Sequence, residues 1–250
     1  MLFIAVQWEA LPTYPCKNVH LDRATREPRA LIGEGELQRF LLVAEHGRKS
    51  EDGGPDEPGD RYYALWRILA LCGLRPGEAM ALKWSDLEGS LLHVRRAATV
   101  GKRHTYTLHR PKTRSSVRAI PLDPRTVLAL KTWKEWYQGP ERTRAKAAEI
   151  DYCDEDFIFS DERGRPVHAT YLRDRFQRLL RLAGLPKHFR VYDLRATCAT
   201  VLLRKGVDAR TVANRLGHAS VAMTLNIYTA SSLEMQAEAS ARMAEAAGLG

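Results

Sequence analysis

Hydrophobic positions along this chain recur with two different periods, and the changes between them mark its elements. From Glu34 to His46 (EGELQRFLLVAEH), Leu37, Leu41 and Ala44 fall on one face at helical spacing. The polar run RKSEDGGPDEPGD, residues 48–60, reads as a loop. Tyr62 to Cys72 is an apolar helix closed by Gly73. Pro76 suits the first position of the next helix and Glu78 the third, which leaves Arg75 at the N-cap. Between Ser90 and Leu122 the period shortens. LLHVRRAATV, HTYTLHR and SVRAIPL read as strands broken by Gly101 and by PKTRSS.

Helical spacing resumes at Pro124 to Tyr137, where Val127, Leu130 and Trp133 form a stripe that stops at Gly139-Pro140. Phe157 to Phe159 is expected to be a short strand, and Thr170 to cap a helix carrying Leu172, Phe176, Leu179 and Leu180. Asp193 to Arg204 carries Leu194, Cys198, Val201 and Leu202 as a core-facing stripe. Asp208 caps a helix reaching Leu216, and Gly217 closes it and sets His218 in a turn. Ser220 caps a last short helix on which Val221, Leu225 and Tyr228 share a face. The fold class that follows is α+β, mostly α-helical with a small inserted three-stranded antiparallel β-sheet. Ahead of it, Phe3 to Glu9 is expected to make one or two helical turns, and Lys17 to Ala30 reads as a basic, polar linker.

Composition narrows the class of partner. Thirty-nine Lys and Arg against 30 Asp and Glu give a net charge of +9, which favours a polyanion, nucleic acid above all. Cys16, Cys72, Cys153 and Cys198 are widely spaced, so neither a disulfide framework nor a zinc site is expected and a reducing cytosol fits. The opening MLFIAVQWEA lacks the basic start and the length of a signal peptide, and no run reaches membrane-spanning length.

Three basic features change the picture from basic protein to candidate site. Arg75 has no side-chain acceptor for free helix N–H groups, but at a helix start it can join them in holding an anion. Arg195 lies in the first turn of its helix at the edge of a buried face, where a cation opposes the helix dipole unless an anion is present. The strand region carries Arg95, Arg96, Lys102, Arg103, Arg110, Lys112, Arg114 and Arg118, a set that can lie along a phosphate backbone. Lys and Arg on strand edges also serve solubility.

Four stretches, GLRPGEAMALKWSDL, PKTRSSVRAIPL, YDLRATCATVLL and LGHASVAMTLNIYT, together resemble the tyrosine recombinases of the phage-integrase family, over roughly residues 30–230. The resemblance implies that Arg75 and Arg195 are the two catalytic arginines, Lys112 the catalytic lysine, His218 the His/Trp position and Tyr228 the nucleophile. One position departs: the family usually has His three residues before the second arginine, where this chain has Tyr192. A phenol with pKa near ~10 is a poorer proton acceptor at neutral pH than an imidazole.

The resemblance further implies DNA strand exchange through a covalent 3′-phosphotyrosyl bond, with neither metal nor cofactor. The partners would be double-stranded DNA and other protomers, in a tetramer docked through the Ala-rich segment Leu233 to Ala247. Residues 31–250 would be the catalytic domain and residues 1–30 a remnant, with linker, of an upstream helical domain that clamps the duplex. Such a protein would act in the cytoplasm at the nucleoid and, with a reduced clamp, bind DNA less tightly than a full recombinase. Two other readings fit the same residues: a DNA-binding remnant without catalysis, and a relaxing topoisomerase of related chemistry.

Overall fold

The computed structural model describes residues 7–8, 32–49, 56–101, 105–109, 116–228 and 240–248. The chain is organised around a short central helix. Helix α1 (Glu34–His46) packs on α2 (Tyr63–Leu71), in which Ala64 to Ala70 are all buried. A helix apolar on every side must be enclosed on every side. α2 meets that demand by touching α1, the short α3 (Pro76–Met80), α4 (Pro124–Trp133) and α7 (Asp193–Arg204). Phe40, Trp66 and Phe176, from α1, α2 and α6 (Ala169–Leu182), form the aromatic centre, with ring centroids 5.2–6.0 Å apart. The charged member of α2, Arg67, is neutralised by Asp123 at 2.8 Å and donates to the Thr126 hydroxyl at 2.9 Å.

The strand region makes two small sheets. β1 (Leu87–Glu88), β2 (Leu91–Val94) and β5 (Arg118–Pro121) form the three-stranded antiparallel sheet, with Leu92 opposite Ile120 and Val94 opposite Arg118. β3 (Ala97–Val100) and β4 (Tyr106–His109) pair separately, with Ala98 opposite Leu108. The first strand-like run therefore splits at Arg95-Arg96. Both guanidiniums turn onto the buried Asp86 carboxylate, Arg96 at 2.6 Å and Arg95 at 3.5 Å, and this breaks the ladder.

Other expectations shift for local reasons. α4 does not stop at Gly139-Pro140. It passes through a π turn, Lys134–Gln138, into α5 (Gly139–Ala147), with the Gly139 N–H donating to the Lys134 carbonyl five residues back. Pro140 has no N–H to give to the ladder, and the wider turn absorbs that loss. Trp133 Nε1 to the Ile158 carbonyl and Gln138 Nε2 to the Phe157 carbonyl hold the turn against the core. Phe157 to Phe159 is buried as expected but forms only an isolated bridge, Lys83 with Phe157, because the partner segment enters a 3₁₀ turn at Trp84. His168, not Thr170, caps α6, its Nδ1 accepting from the Thr170 N–H at 3.2 Å. The helix expected over Phe3 to Glu9 lies outside the described residues apart from Gln7 and Trp8, as does the linker after it. Of the tail segment only residues 240–248 are described, helical over 240–246.

The C-terminal helices stack as α7, α8 (Ala209–Leu216) and α9 (Val221–Tyr228). Among the described residues no helix is long and apolar enough to cross a membrane. The α2–α3 turn meets α7 and α8 at Gly73, in the left-handed region with φ 64°. A Cβ there would sit 2.4 Å from Leu216 Cδ2 and 3.2 Å from Cys198 Sγ. Gly73→Ala is expected to cost roughly 1–3 kcal/mol from backbone strain alone, with the steric overlap adding to it. Urea unfolding of the variant at constant m value checks this.

Candidate active site

Arg75, Arg118 and Arg195 each have a definite structural reason for their place. Arg75 is the N-cap of α3, with Pro76 at the first helical position. The cap function falls to Glu78, whose Oε2 accepts the Arg75 backbone N–H at 2.9 Å while Oε1 accepts from Arg75 Nη1 at 2.8 Å. Arg118 on β5 approaches the same carboxylate from the other side, Nη2 to Oε2 at 2.9 Å and Nη1 to Oε1 at 3.2 Å. Its Nε donates to the Arg215 carbonyl at 2.6 Å, which ties the sheet to the end of α8. Burial would raise the Glu78 pKa, but the hydrogen bonds and charge of Arg118, with Arg75 behind it, hold it below the usual carboxylate value.

Arg195 is only 2 % exposed. Its Nη1 donates to the Gly73 carbonyl and its Nη2 to the Leu216 carbonyl, both at 2.7 Å. Burial first, and then the charge of Arg75, lower its pKa to about 10, so it remains a cation at neutral pH. His218 follows Gly217, whose φ of 67° reverses the chain after α8, and its N–H donates to the Ala213 carbonyl at 2.9 Å. Its Nδ1 lies 2.8 Å from the hydroxyl of Thr224, a fully buried residue of α9. Burial, then Arg195, Arg75 and Arg118, bring the His218 pKa down to about 4, which makes it a neutral imidazole at pH 7.

Among the described residues, the cluster brings three guanidiniums and a neutral imidazole to the Glu78 carboxylate. Burial comes first in lowering Arg195 and His218, and the neighbouring guanidiniums lower both further, beyond what Glu78 offsets. An added anion would offset their charge, and guanidiniums offer the forked geometry that suits phosphate oxygens.

Of the remaining sequence-predicted residues, Tyr192 is the N-cap of α7, 44 % exposed, and near enough to Arg195 to influence it electrostatically. Tyr228 is the last residue of α9, one turn beyond Thr224. Lys112, with Lys102, Arg103, Arg110 and Arg114, lies outside the described residues. Arg95 and Arg96 are held by Asp86, and Arg118, expected on a hairpin lying along DNA, is instead a wall of the cluster. Sequence reading placed Glu78 only as a helix-start residue and passed over Thr224. Glu78 lies three residues after Arg75, the spacing at which a carboxylate can turn back on a cap. Thr224 is a hydroxyl between the apolar Met223 and Leu225, a weaker signal. Among the described residues, no group of three or more His, Cys, Asp or Glu side chains is placed to hold a metal ion.

A sequence model of the phage integrase family matches residues 49–235, which spans the whole cluster. The chain belongs to the phage integrase family. It is similar to a tyrosine recombinase XerC-like protein of Caldanaerobacter subterraneus subsp. tengcongensis, 32% identical over 68% of this chain and 46% of that protein. It is also similar to the ICEBs1 integrase of Bacillus subtilis, 25% identical over 90% of this chain and 56% of that one. The chain thus spans about half the length of these curated relatives. Among solved structures, the Tn1549 transposon integrase in complex with transposon right end DNA superposes with a TM-score of 0.70, at 22% identity, covering 97% of this chain and 75% of that one. The XerA recombinase gives a TM-score of 0.58 at 24% identity, covering 96% and 72%. These two likenesses establish the integrase catalytic fold.

Burial of His218 among these guanidiniums has a consequence for stability. His218 is ordinarily near 6.5 and lies near 4 when folded, so between those values the unfolded chain binds the extra proton. Stability contributed by the neutral ring is present above pH 6.5 and is lost as pH falls through the window from 6.5 to 4. A His218→Asn variant should show a shallower loss of unfolding free energy across that window than the unaltered protein, measured by urea titration at several pH values. An equal loss in both would place the imidazole at its ordinary pKa.

Proposed function

We propose that this chain is the DNA-cleaving and rejoining part of a tyrosine-type site-specific recombinase. The single observation that supports this best is the cluster of Arg75, Arg118 and the buried Arg195 around Glu78, in a chain whose last described helix before the tail ends on Tyr228. In this reading Tyr228 attacks a phosphorus of the DNA backbone. A bond forms from the phenolic oxygen to phosphorus as the hydroxyl proton passes to solvent water, and the bond to the 5′ oxygen breaks. Arg75 and Arg195 bind the non-bridging oxygens, where negative charge grows, and His218 donates one further hydrogen bond. Lys112 delivers a proton to the departing 5′ oxygen. The 3′-phosphotyrosyl product keeps the energy of the phosphodiester, so a second 5′-hydroxyl can reverse the step on another strand.

Tyr192 occupies the position where the family usually has a histidine. A phenol there can hydrogen-bond a phosphate oxygen or orient Tyr228, at the expense of proton acceptance. The Ala-rich tail is read as the segment through which protomers join into a tetramer on DNA. Residues 31–250 are read as the catalytic domain, with residues 1–30 as the end of an upstream clamp and its linker.

Incubation with nicked suicide duplexes covering the DNA that flanks its gene tests the reading. A detergent-resistant covalent adduct, absent in Tyr228→Phe, is the expected result. Arg75→Ala or Arg195→Ala should slow cleavage by about 10²–10³, and Tyr192→His should raise the single-turnover rate about tenfold or more. Binding without an adduct on any of these duplexes would instead identify a DNA-binding remnant. Site-independent relaxation of supercoils would identify a topoisomerase. Affinity should fall with salt, by about 0.9 in log K per phosphate contact for each tenfold rise in concentration; binding indifferent to salt would sink the assignment of this surface to DNA.

A further inference from the structure

The structure assigns Thr224 a part in the same site: we propose that its hydroxyl donates to His218 Nδ1 and so fixes the imidazole as the Nε2–H tautomer, the form able to donate to a bound phosphate oxygen. This rests on the reading of the cluster as a phosphodiester site. Thr224 is fully buried, and its Oγ1 lies 2.8 Å from Nδ1. A buried hydroxyl and a buried ring nitrogen that face each other must share one proton, and two arrangements are open.

If Nδ1 carried the hydrogen and donated to Thr224, Nε2 would offer only a lone pair, and a lone pair repels an anion. If Thr224 donates, Nε2 carries the hydrogen and becomes a donor. A doubly protonated ring, which would donate from both nitrogens, is disfavoured by burial and by the neighbouring charges of Arg195, Arg75 and Arg118. Only the arrangement with Thr224 as donor leaves an uncharged ring that can bind an anion.

The scaffold suits the task. Thr224 sits mid-helix in α9, where branching at Cβ narrows the choice of χ1 and so limits where the hydroxyl points. The residue one turn before it, Ser220, already accepts the Met223 N–H at 3.2 Å, so its carbonyl competes for the hydroxyl less than a free one would. The bond also joins the turn that carries His218 to the helix that ends on Tyr228. Thr224 is thus a positioning residue, acting through His218.

Nitrogen NMR of protein labelled at histidine reads the tautomer without DNA or turnover. The unaltered protein should show His218 with a pyridine-like Nδ1 and a protonated Nε2, and Thr224→Val should abolish that preference while Thr224→Ser keeps it. A protonated Nδ1 in the unaltered protein, or a preference that Thr224→Val leaves in place, would overturn the proposal. In single-turnover cleavage of a nicked duplex, Thr224→Val should lose at least tenfold and Thr224→Ser less than threefold. Thr224→Val combined with His218→Ala should be no slower than His218→Ala alone, because the hydroxyl acts only through the ring. A further loss in the double variant would make Thr224 a merely structural residue. If no DNA yields an adduct, the functional reading fails, and the spectrum still decides the hydrogen bond.

Discussion

A guanidinium with 2 % exposure must be met by acceptors, and in this protein both acceptors of Arg195 are carbonyls at helix C-termini. Gly73 lies just past the end of α2, and Leu216 is the last residue of α8. Those ends carry the negative pole of the helix dipole and carbonyls without intrahelical partners, which favours a cation there. One side chain therefore satisfies two helix ends at once and holds α7 at their meeting point. Its position requires the absence of a side chain at Gly73, the left-handed turn at Gly217 and the packing of Leu216 against Gly73.

The carboxylate of Glu78 plays the complementary part. Between Arg75 and Arg118 it keeps two cations in place, and it also supplies the helix start that Arg75 lacks. A buried pair held this way contributes little net stability, since desolvation offsets most of the attraction, but it fixes geometry. The arrangement is preorganised: the donors do not have to be recruited when an anion arrives.

Much of this was legible beforehand because it follows from local rules. The helices Glu34–His46 and Asp193–Arg204 follow from the spacing of their apolar residues, and Gly217 sets His218 in a turn. The convergence of Arg75, Arg195 and His218 came from the family resemblance, since no local pattern joins positions so far apart. What was not legible depended on partners distant in sequence. The split of the strand region is decided by Asp86, which draws Arg95 and Arg96 out of register. The inward turn of Arg118 is decided by Glu78, 40 residues earlier. A strand of alternating polarity shows which residues share a face, but whether an arginine on it meets DNA or a buried carboxylate is fixed by tertiary contacts.

The π turn at Lys134–Gln138 leaves this segment with no slack in length. Relative to a regular helix it carries one additional residue, and each residue of an α-helix advances the face by about 100°. Glu141, which pairs with Arg61, and Trp133, over which Arg61 sits at 5.3 Å, therefore depend on that additional residue to face the same guanidinium. A one-residue deletion here would leave the sequence an equally good helix former and still turn Glu141 away from Arg61. This stretch should tolerate changes of residue type far better than changes of length.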